Sequence, residues 1–165
     1  MTYQPRVYRK QGGNELVVAA GGKVSVEAGG ELAHAAGALA LSQRFRVTAA
    51  EVNAGKELLA AIPGFKYRLI DWSMVAIGGN AATATSVDLL ATQGAAGVTL
   101  AAVAVAALTR SAVVKPNSAN VTVLADGASF VANDAATAIT IGKTGGSLAT
   151  ATHVDVVLLF ALEAA

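Results

Sequence analysis

Two short stretches contain residues that could support catalysis. Gly142-Lys143-Thr144 matches the end of a phosphate-binding loop, but that motif needs a glycine five residues before Gly142, where this chain has Thr137. The segment GGSLA at 145–149 lacks the last glycine of a nucleophile elbow. The acidic residues include no close pair suited to glycoside hydrolysis. The sequence therefore does not predict an enzyme.

Histidine and tryptophan are the other residue types that could carry chemistry. His153 and Asp155 would face the same side of a strand, so they could contribute to a metal site, but no third ligand is identifiable. A solvated strand end is the favoured interpretation. Trp72, beside Asp71, could stack on a ligand, although a single tryptophan among few aromatic residues is more typical of a core. We expect no metal and no cofactor.

The composition limits the classes of partner. Only 14% of the 165 residues are charged, against a usual ~25%, and the net charge of +1 offers no basic stripe for nucleic acid. The apolar run at 100–108 is too short to span a bilayer, and the polar start of the chain does not predict a signal peptide. Because apolar residues make up 54% of the chain while charges are few, we expect other subunits to cover much of its surface.

Residues 15–38 contain a repeat of eight residues. The three blocks are ELVVAAGG, KVSVEAGG and ELAHAAGA, and each block alternates apolar with other residues as a strand does. The glycine pairs could be hairpin turns of an antiparallel meander. Alternatively, each block is translated onto the next as in a β-helix, which keeps equivalent apolar residues in one column.

The translational arrangement is favoured, and it predicts a trimer. Three short blocks cannot bury their own apolar face, whereas three chains around one axis form a closed β-prism stalk. His34 takes the place of valine in one column, where it would form a ring of three histidines or meet water at the end of the stalk. The predicted trimer interface consists of Leu16, Val18, Val24, Val26, Leu32 and His34.

The chain is predicted to have three parts and an all-β fold. Residues 1–14 form an extended arm or a frayed terminus, residues 15–41 form the stalk, and residues 42–165 form a β-sandwich or jelly-roll-like domain. Within this domain, the parity of apolar residues predicts a bulge near Asp71 and Trp72. The segment SFVAN (129–133) is predicted as a strand. The last strand, 153–163, is apolar on both faces and is therefore predicted to be central or covered by another subunit.

The start YQPRVYRKQGGNELVV, the octads and the glycine-punctuated β domain together resemble the capsid decoration, or cement, proteins of tailed bacteriophages. The resemblance is clearest in about the first forty residues. It implies a homotrimer on the outer surface of the virion that binds the major capsid protein and stabilises the capsid by bridging capsomers. The runner-up is a phage fibre or receptor-binding protein with a carbohydrate-binding β domain. In the decoration-protein interpretation, the arm contacts the capsid through Tyr3, Arg6, Tyr8, Arg9 and Lys10.

Overall fold

The computed structural model describes residues 7–9, 16–18, 33–34, 37–38 and 40–165. The N-terminal strands are β1 (Val7–Arg9), β2 (Leu16–Val18), β3 (Ala33–His34) and β4 (Gly37–Ala38). They are followed by β5 (Ala40–Thr48), α1 (Ala49–Ala54), β6 (Lys56–Leu59), β7 (Phe65–Ile77) and β8 (Ala82–Gln93). The chain continues with β9 (Ala96–Ala104), β10 (Val121–Val123), 3₁₀ turns at Ala125–Phe130, β11 (Ile139–Ala149) and β12 (His153–Ala164).

Two antiparallel sheets form the domain. The larger sheet has the strand order β10-β9-β8-β11-β6, and the smaller has the order β5-β12-β7. The described residues are predominantly β, which confirms the predicted all-β class and is compatible with a β-sandwich. β5 begins at Ala40, two residues before the predicted start of this domain.

The two sheets share one hydrophobic core. The three-stranded sheet contributes alternate residues of each strand, and the five-stranded sheet does the same, because successive side chains of a strand point to opposite faces. The central members are Val47, Trp72, Met74, Val156 and Leu158 from the smaller sheet, and Val87, Leu89, Val103, Ile139 and Ile141 from the larger. Trp72 is therefore a core residue, as expected from its isolation in the sequence.

A bulge in β7 lies where the apolar parity changes. β12 pairs Leu159 with Asp71 but Phe160 with Leu69, so Ile70 is the extra residue. Odd-numbered residues of β7 are buried before the bulge and even-numbered residues after it. The predicted bulge near Asp71 is thus confirmed, and it lets both halves of a long strand face the same core.

Strand β12 lies in the centre of the smaller sheet, between β5 and β7. Its residues Val154, Val156 and Leu158 are fully buried on the core side, while Val157 and Leu159 are half-buried on the other side. The prediction of a central strand is confirmed. The apolar character of both faces follows, because neighbouring strands shield the outer side chains as well.

Helix α1 was not anticipated by the sequence analysis, although its signal is present. The Thr48 hydroxyl accepts a hydrogen bond from the backbone N–H of Glu51, and the Glu51 carboxylate accepts one from the backbone N–H of Thr48. This capping box begins the helix, and Gly55 in the left-handed conformation ends it. The Thr-x-x-Glu pattern could have identified it.

The segment 129–133 is not a strand. Asp126 and Gly127 have positive φ angles of 56° and 74°, which turn the chain before this segment. The Ser129 hydroxyl then donates to the carbonyl of Leu100 and accepts from the backbone N–H of Leu124, which holds the turn against β9. The residue types of this segment resemble those of a strand, but the local bond between Leu124 and Ser129 and the longer-range bond to Leu100 hold turns in its place.

Candidate functional site

The predicted arm and the first octad come together in one hairpin. β1 pairs antiparallel with β2, and the register places Tyr8 opposite Val17 and Arg9 opposite Leu16. Two of the predicted capsid-contact residues therefore lie on a strand next to a predicted interface residue. Tyr3, Arg6 and Lys10 lie outside the described residues.

The other predicted interface residues are only partly described. Val18 pairs with Val7 and is 43% exposed, which is high for a valine. His34 lies in β3 and pairs with Gly37 of β4. Val24, Val26 and Leu32 lie outside the described residues, so the stacking of the octad columns stays a prediction.

The most ordered cluster of charges lies on the outer face of the three-stranded sheet. Asp155 of β12 is only 5% exposed, and its direct neighbour on β5 is Arg46. The Arg46 guanidinium binds both carboxylate oxygens, through Nε to Oδ1 at 2.8 Å and through Nη2 to Oδ2 at 3.0 Å. Arg44, two residues away on the same face, also donates from Nη2 to Oδ2.

These contacts shift the ionisation of the cluster. The hydrogen bond from Arg46, assisted by Arg44 and opposed by burial, lowers the pKa of Asp155 to about 2. The same hydrogen bond and the carboxylate charge raise the pKa of Arg46. The cluster therefore keeps one negative and two positive charges at neutral pH, and it presents a net positive charge beside β12.

An apolar strip adjoins this positive cluster. Val157 lies between Arg44 and Ser73, and Leu159 lies between Ser42 and Asp71. A shallow cavity of about 130 Å³ is lined by Asp71, Trp72, Ser73, Lys115, Val157 and Leu159. The bulged residue Ile70 is 41% exposed. The outer face thus combines apolar side chains with cations, which is a composition suited to contact with another protein.

The two edges of this sheet differ. The backbone of Met74 in β7 exchanges two hydrogen bonds with Val114, and Tyr67 accepts one from Asn133. In the part of the chain that the structure describes, no strand pairs with the other edge of the sheet, which is formed by β5. Leu41, near the start of β5, is 40% exposed. An unpaired edge of this kind is a template for another strand.

The suggested metal pair does not form a site. Both oxygens of Asp155 are taken by arginines, and the His153 Nδ1 atom lies 3.0 Å from the Thr152 hydroxyl. Across the described ranges, no group of three or more His, Asp or Glu residues could hold a metal ion. The same ranges contain no helix that is long and apolar enough to cross a membrane.

Sequence reasoning missed the arginine pair and a second buried carboxylate, Asp88. Arg44 and Arg46 alternate in the segment RFRVT, and this two-residue spacing was the available signal that both face one side. Asp88 is a charge inside the apolar segment SVDLLAT at 86–92, whose pattern predicts a strand but does not by itself indicate a buried carboxylate. Its side chain accepts a hydrogen bond from Thr144, a residue of the rejected phosphate-loop match.

The chain matches no known protein-family model, and neither a curated protein nor a solved structure matches it significantly.

Proposed function

We propose that the protein is a structural virion protein of a tailed bacteriophage, which binds the outside of the capsid as a homotrimer and stabilises it by bridging capsomers. The unpaired edge of β5 is the observation that carries this proposal. β5 follows the N-terminal repeat in the chain, and among the described residues the backbone groups of Ala40–Thr48 that point away from β12 have no strand beside them. The likeness of the first forty residues to decoration proteins supplies the identity of the assembly.

Apolar side chains in the first 45 residues that are exposed or only half-buried support the proposal of an oligomer. Val18 and Leu41 are each at least 40% exposed in the isolated chain, and Phe45 is only half-buried. A neighbouring subunit that covered these residues would remove apolar area from water, which favours association. Obligate interfaces of this type typically bury more than ~2,000 Å².

The proposed contact residues divide into two groups. The trimer interface comprises Leu16, Val18, Val24, Val26, Leu32 and His34, and the capsid contacts comprise Tyr3, Arg6, Tyr8, Arg9 and Lys10. The pairing of β1 with β2 supports a link between the groups, because a strand that joins the trimer would also fix the position of Tyr8 and Arg9. Trimer assembly would then orient the arm toward the major capsid protein.

Oligomeric state and capsid binding test the proposal together. Light scattering at micromolar concentration should give three times 16.4 kDa, and the protein should sediment with undecorated capsids. Deletion of residues 1–14 should leave a folded trimer that no longer sediments with capsids. A stable monomer would overturn the trimer, and sedimentation with host cells instead of capsids would favour the receptor-binding alternative.

A matched pair of substitutions tests the stalk. In the translational arrangement, Val18→Asp places three carboxylates around one axis, whereas Val17→Asp places them in solvent. Val18→Asp should dissociate the trimer and lower the melting temperature, and Val17→Asp should do neither. The reverse order would show that the octads form a meander and not a threefold stalk.

A further inference from the structure

The outer face of the five-stranded sheet carries a cavity of about 400 Å³. Asp88 lies in β8 between Val87 and Leu89, which are both fully buried in the core, so its side chain points to the opposite face. The cavity is lined by Asp88, by the hydroxyl-bearing residues Ser86, Thr99, Thr122 and Thr144, and by Ala102, Val123 and Leu124. It is separate from the arginine cluster, which lies on the other sheet.

Small residues beside Asp88 leave room for this cavity. The register places Asp88 opposite Ala102 of β9 and opposite Gly142 of β11. Neither neighbour has a side chain long enough to reach across the carboxylate. A methyl group added at Gly142 would come within 3.1 Å of the Leu90 Cδ1 atom, so the Leu90 side chain already packs closely against Gly142 beside the cavity.

The Asp88 carboxylate is buried but only half satisfied. It is 3% exposed, and its Oδ2 atom accepts a hydrogen bond of 2.7 Å from the Thr144 hydroxyl. Its Oδ1 atom is buried and has no hydrogen-bond partner in the part of the chain that the structure describes. None of the ion pairs among the described residues includes Asp88. A buried carboxylate in this state is costly, and it favours any ligand that supplies a cationic donor.

We infer that this cavity binds an alkylammonium group, with Asp88 as the anionic anchor. An ammonium carries three donors, so one can bind Oδ1 once a rotation of the Asp88 carboxylate turns this atom toward the cavity, while the others bind surrounding hydroxyls such as those of Ser86 and Thr122. The attached alkyl chain would pack on Ala102 and Leu124 at the apolar side of the cavity. The volume exceeds the ~30 Å³ share of one water molecule, so it accommodates a chain as well as the charged group.

The hydrogen bond that Oδ2 of Asp88 already accepts favours an ammonium over a guanidinium. A guanidinium binds a carboxylate best with two parallel hydrogen bonds, as Arg46 does at Asp155. At Asp88 the Thr144 hydroxyl occupies one acceptor position of Oδ2, so a guanidinium would have to share this atom with Thr144, as Arg46 shares Oδ2 of Asp155 with Arg44. A compact ammonium needs only Oδ1 and leaves the bond from Thr144 undisturbed, so it is the simpler occupant. The ammonium could belong to a free alkylamine or to a lysine side chain, which have the same chemistry at this cavity.

Titration with n-butylammonium chloride, followed by amide NMR at constant ionic strength, tests the site in the full chain. We expect saturable shifts centred on Ser86, Asp88, Ala102 and Thr144, and smaller or no shifts with n-butanol, which has the same chain without the charge. Equal shifts with n-butanol would overturn the inference, and so would shifts that never saturate. A parallel titration with Nα-acetyl-lysine amide distinguishes a site open to a lysine side chain from one restricted to free amines.

Two variants and one control make the test specific. Asp88→Asn should weaken n-butylammonium binding by at least about tenfold, which corresponds to the loss of one charge-assisted contact. Ala102→Leu should block the alkyl chain while the carboxylate remains. Asp126→Asn removes an exposed negative charge at a positive φ that asparagine tolerates, and it should not change binding. Unchanged binding in both cavity variants would overturn the inference.

Discussion

Two aspartates on the outer faces of the two sheets have opposite environments. Asp155 and Asp88 are both almost fully buried, at 5% and 3% exposure. Asp155 is bound by the guanidinium groups of Arg44 and Arg46, whereas among the described residues Asp88 receives one hydroxyl hydrogen bond and keeps an oxygen without a partner. Similar burial therefore goes with two different hydrogen-bonding states: one carboxylate is fully paired, and the other is the one that we infer to be available to a ligand.

The neighbouring strand positions explain this difference. Asp155 is opposite Arg46, whose long side chain folds over the carboxylate, while Asp88 is opposite Ala102 and Gly142. A paired carboxylate loses little by burial because charge-assisted hydrogen bonds replace its contacts with water. An unpaired one retains most of the desolvation cost, which is a common property of binding sites.

The largest effect on stability is expected from Asp155→Asn. This change removes the charge that holds two arginines, and hydrogen bonds to charged groups contribute about 1.5–3 kcal/mol, so the free energy of unfolding should fall by about 2 kcal/mol. Urea denaturation with an unchanged m-value measures this loss. Asp126→Asn, an exposed control, should change little. A similarly small change in Asp155→Asn would show that the arginine cluster does not stabilise the sheet.

The pH dependence of stability should report the ionisation of Asp155. Arg46 and Arg44 hold the pKa of Asp155 at about 2, below its ordinary 3.8, so above pH 4 the folded state gains from the ionised form. Below pH 4 the unfolded chain takes up the proton first, and the stabilisation is lost as the pH falls from about 4 to about 2. The melting temperature should therefore fall more steeply with decreasing pH in the wild type than in Asp155→Asn.

Glu51 contributes to the same acidic range and needs its own control. The hydrogen bond from Lys56, followed by those from Thr48, lowers the pKa of Glu51 to about 2. Any dependence of the melting temperature on pH that remains in Asp155→Asn should decrease further when Glu51→Gln is added. Persistence of the full wild-type slope in this double variant would place the acid-sensitive groups elsewhere.

A smaller effect is expected from Thr144→Val. This change removes the only hydrogen bond that the structure gives the Asp88 side chain, and an unsatisfied buried group costs about 1 kcal/mol or more. Chemical denaturation should show this loss. Thr99→Val lies in the same cavity without contacting Asp88 through a hydrogen bond, so it should be nearly neutral. Equal losses in the two variants would attribute the effect to packing and not to Asp88.

The smallest effect, and one of opposite sign, is expected from Asp88→Asn without ligand. Removal of a buried charge that has no cation should leave the free energy of unfolding unchanged or raise it by up to about 1 kcal/mol. The measurement is the melting temperature of Asp88→Asn beside that of Asp155→Asn, which we expect to be the lower of the two. A loss as large as that of Asp155→Asn would mean that the Asp88 charge supports the fold, and the comparison between the two aspartates would fail.

The sequence by itself determined several of the strands and the bulge in one of them. Alternation over residues 65–78 indicates a long strand, and the change of parity beside Asp71 locates its bulge, because a two-residue period fixes which face each side chain takes. The apolar run of 153–163 indicated a central position. These properties depend on residues close together in the chain, so the pattern of residue types is enough to predict them.

Only the tertiary structure decided which hydrogen-bond partners the two aspartates have. Their local contexts are nearly the same, with Val-Asp-Leu at 87–89 and Val-Asp-Val at 154–156. Their difference comes from residues far along the chain: Arg44 and Arg46 lie more than 100 positions from Asp155, and Thr144 lies 56 positions from Asp88. Strand register brings these partners together, and register depends on how the whole sheet packs, which a local pattern does not contain.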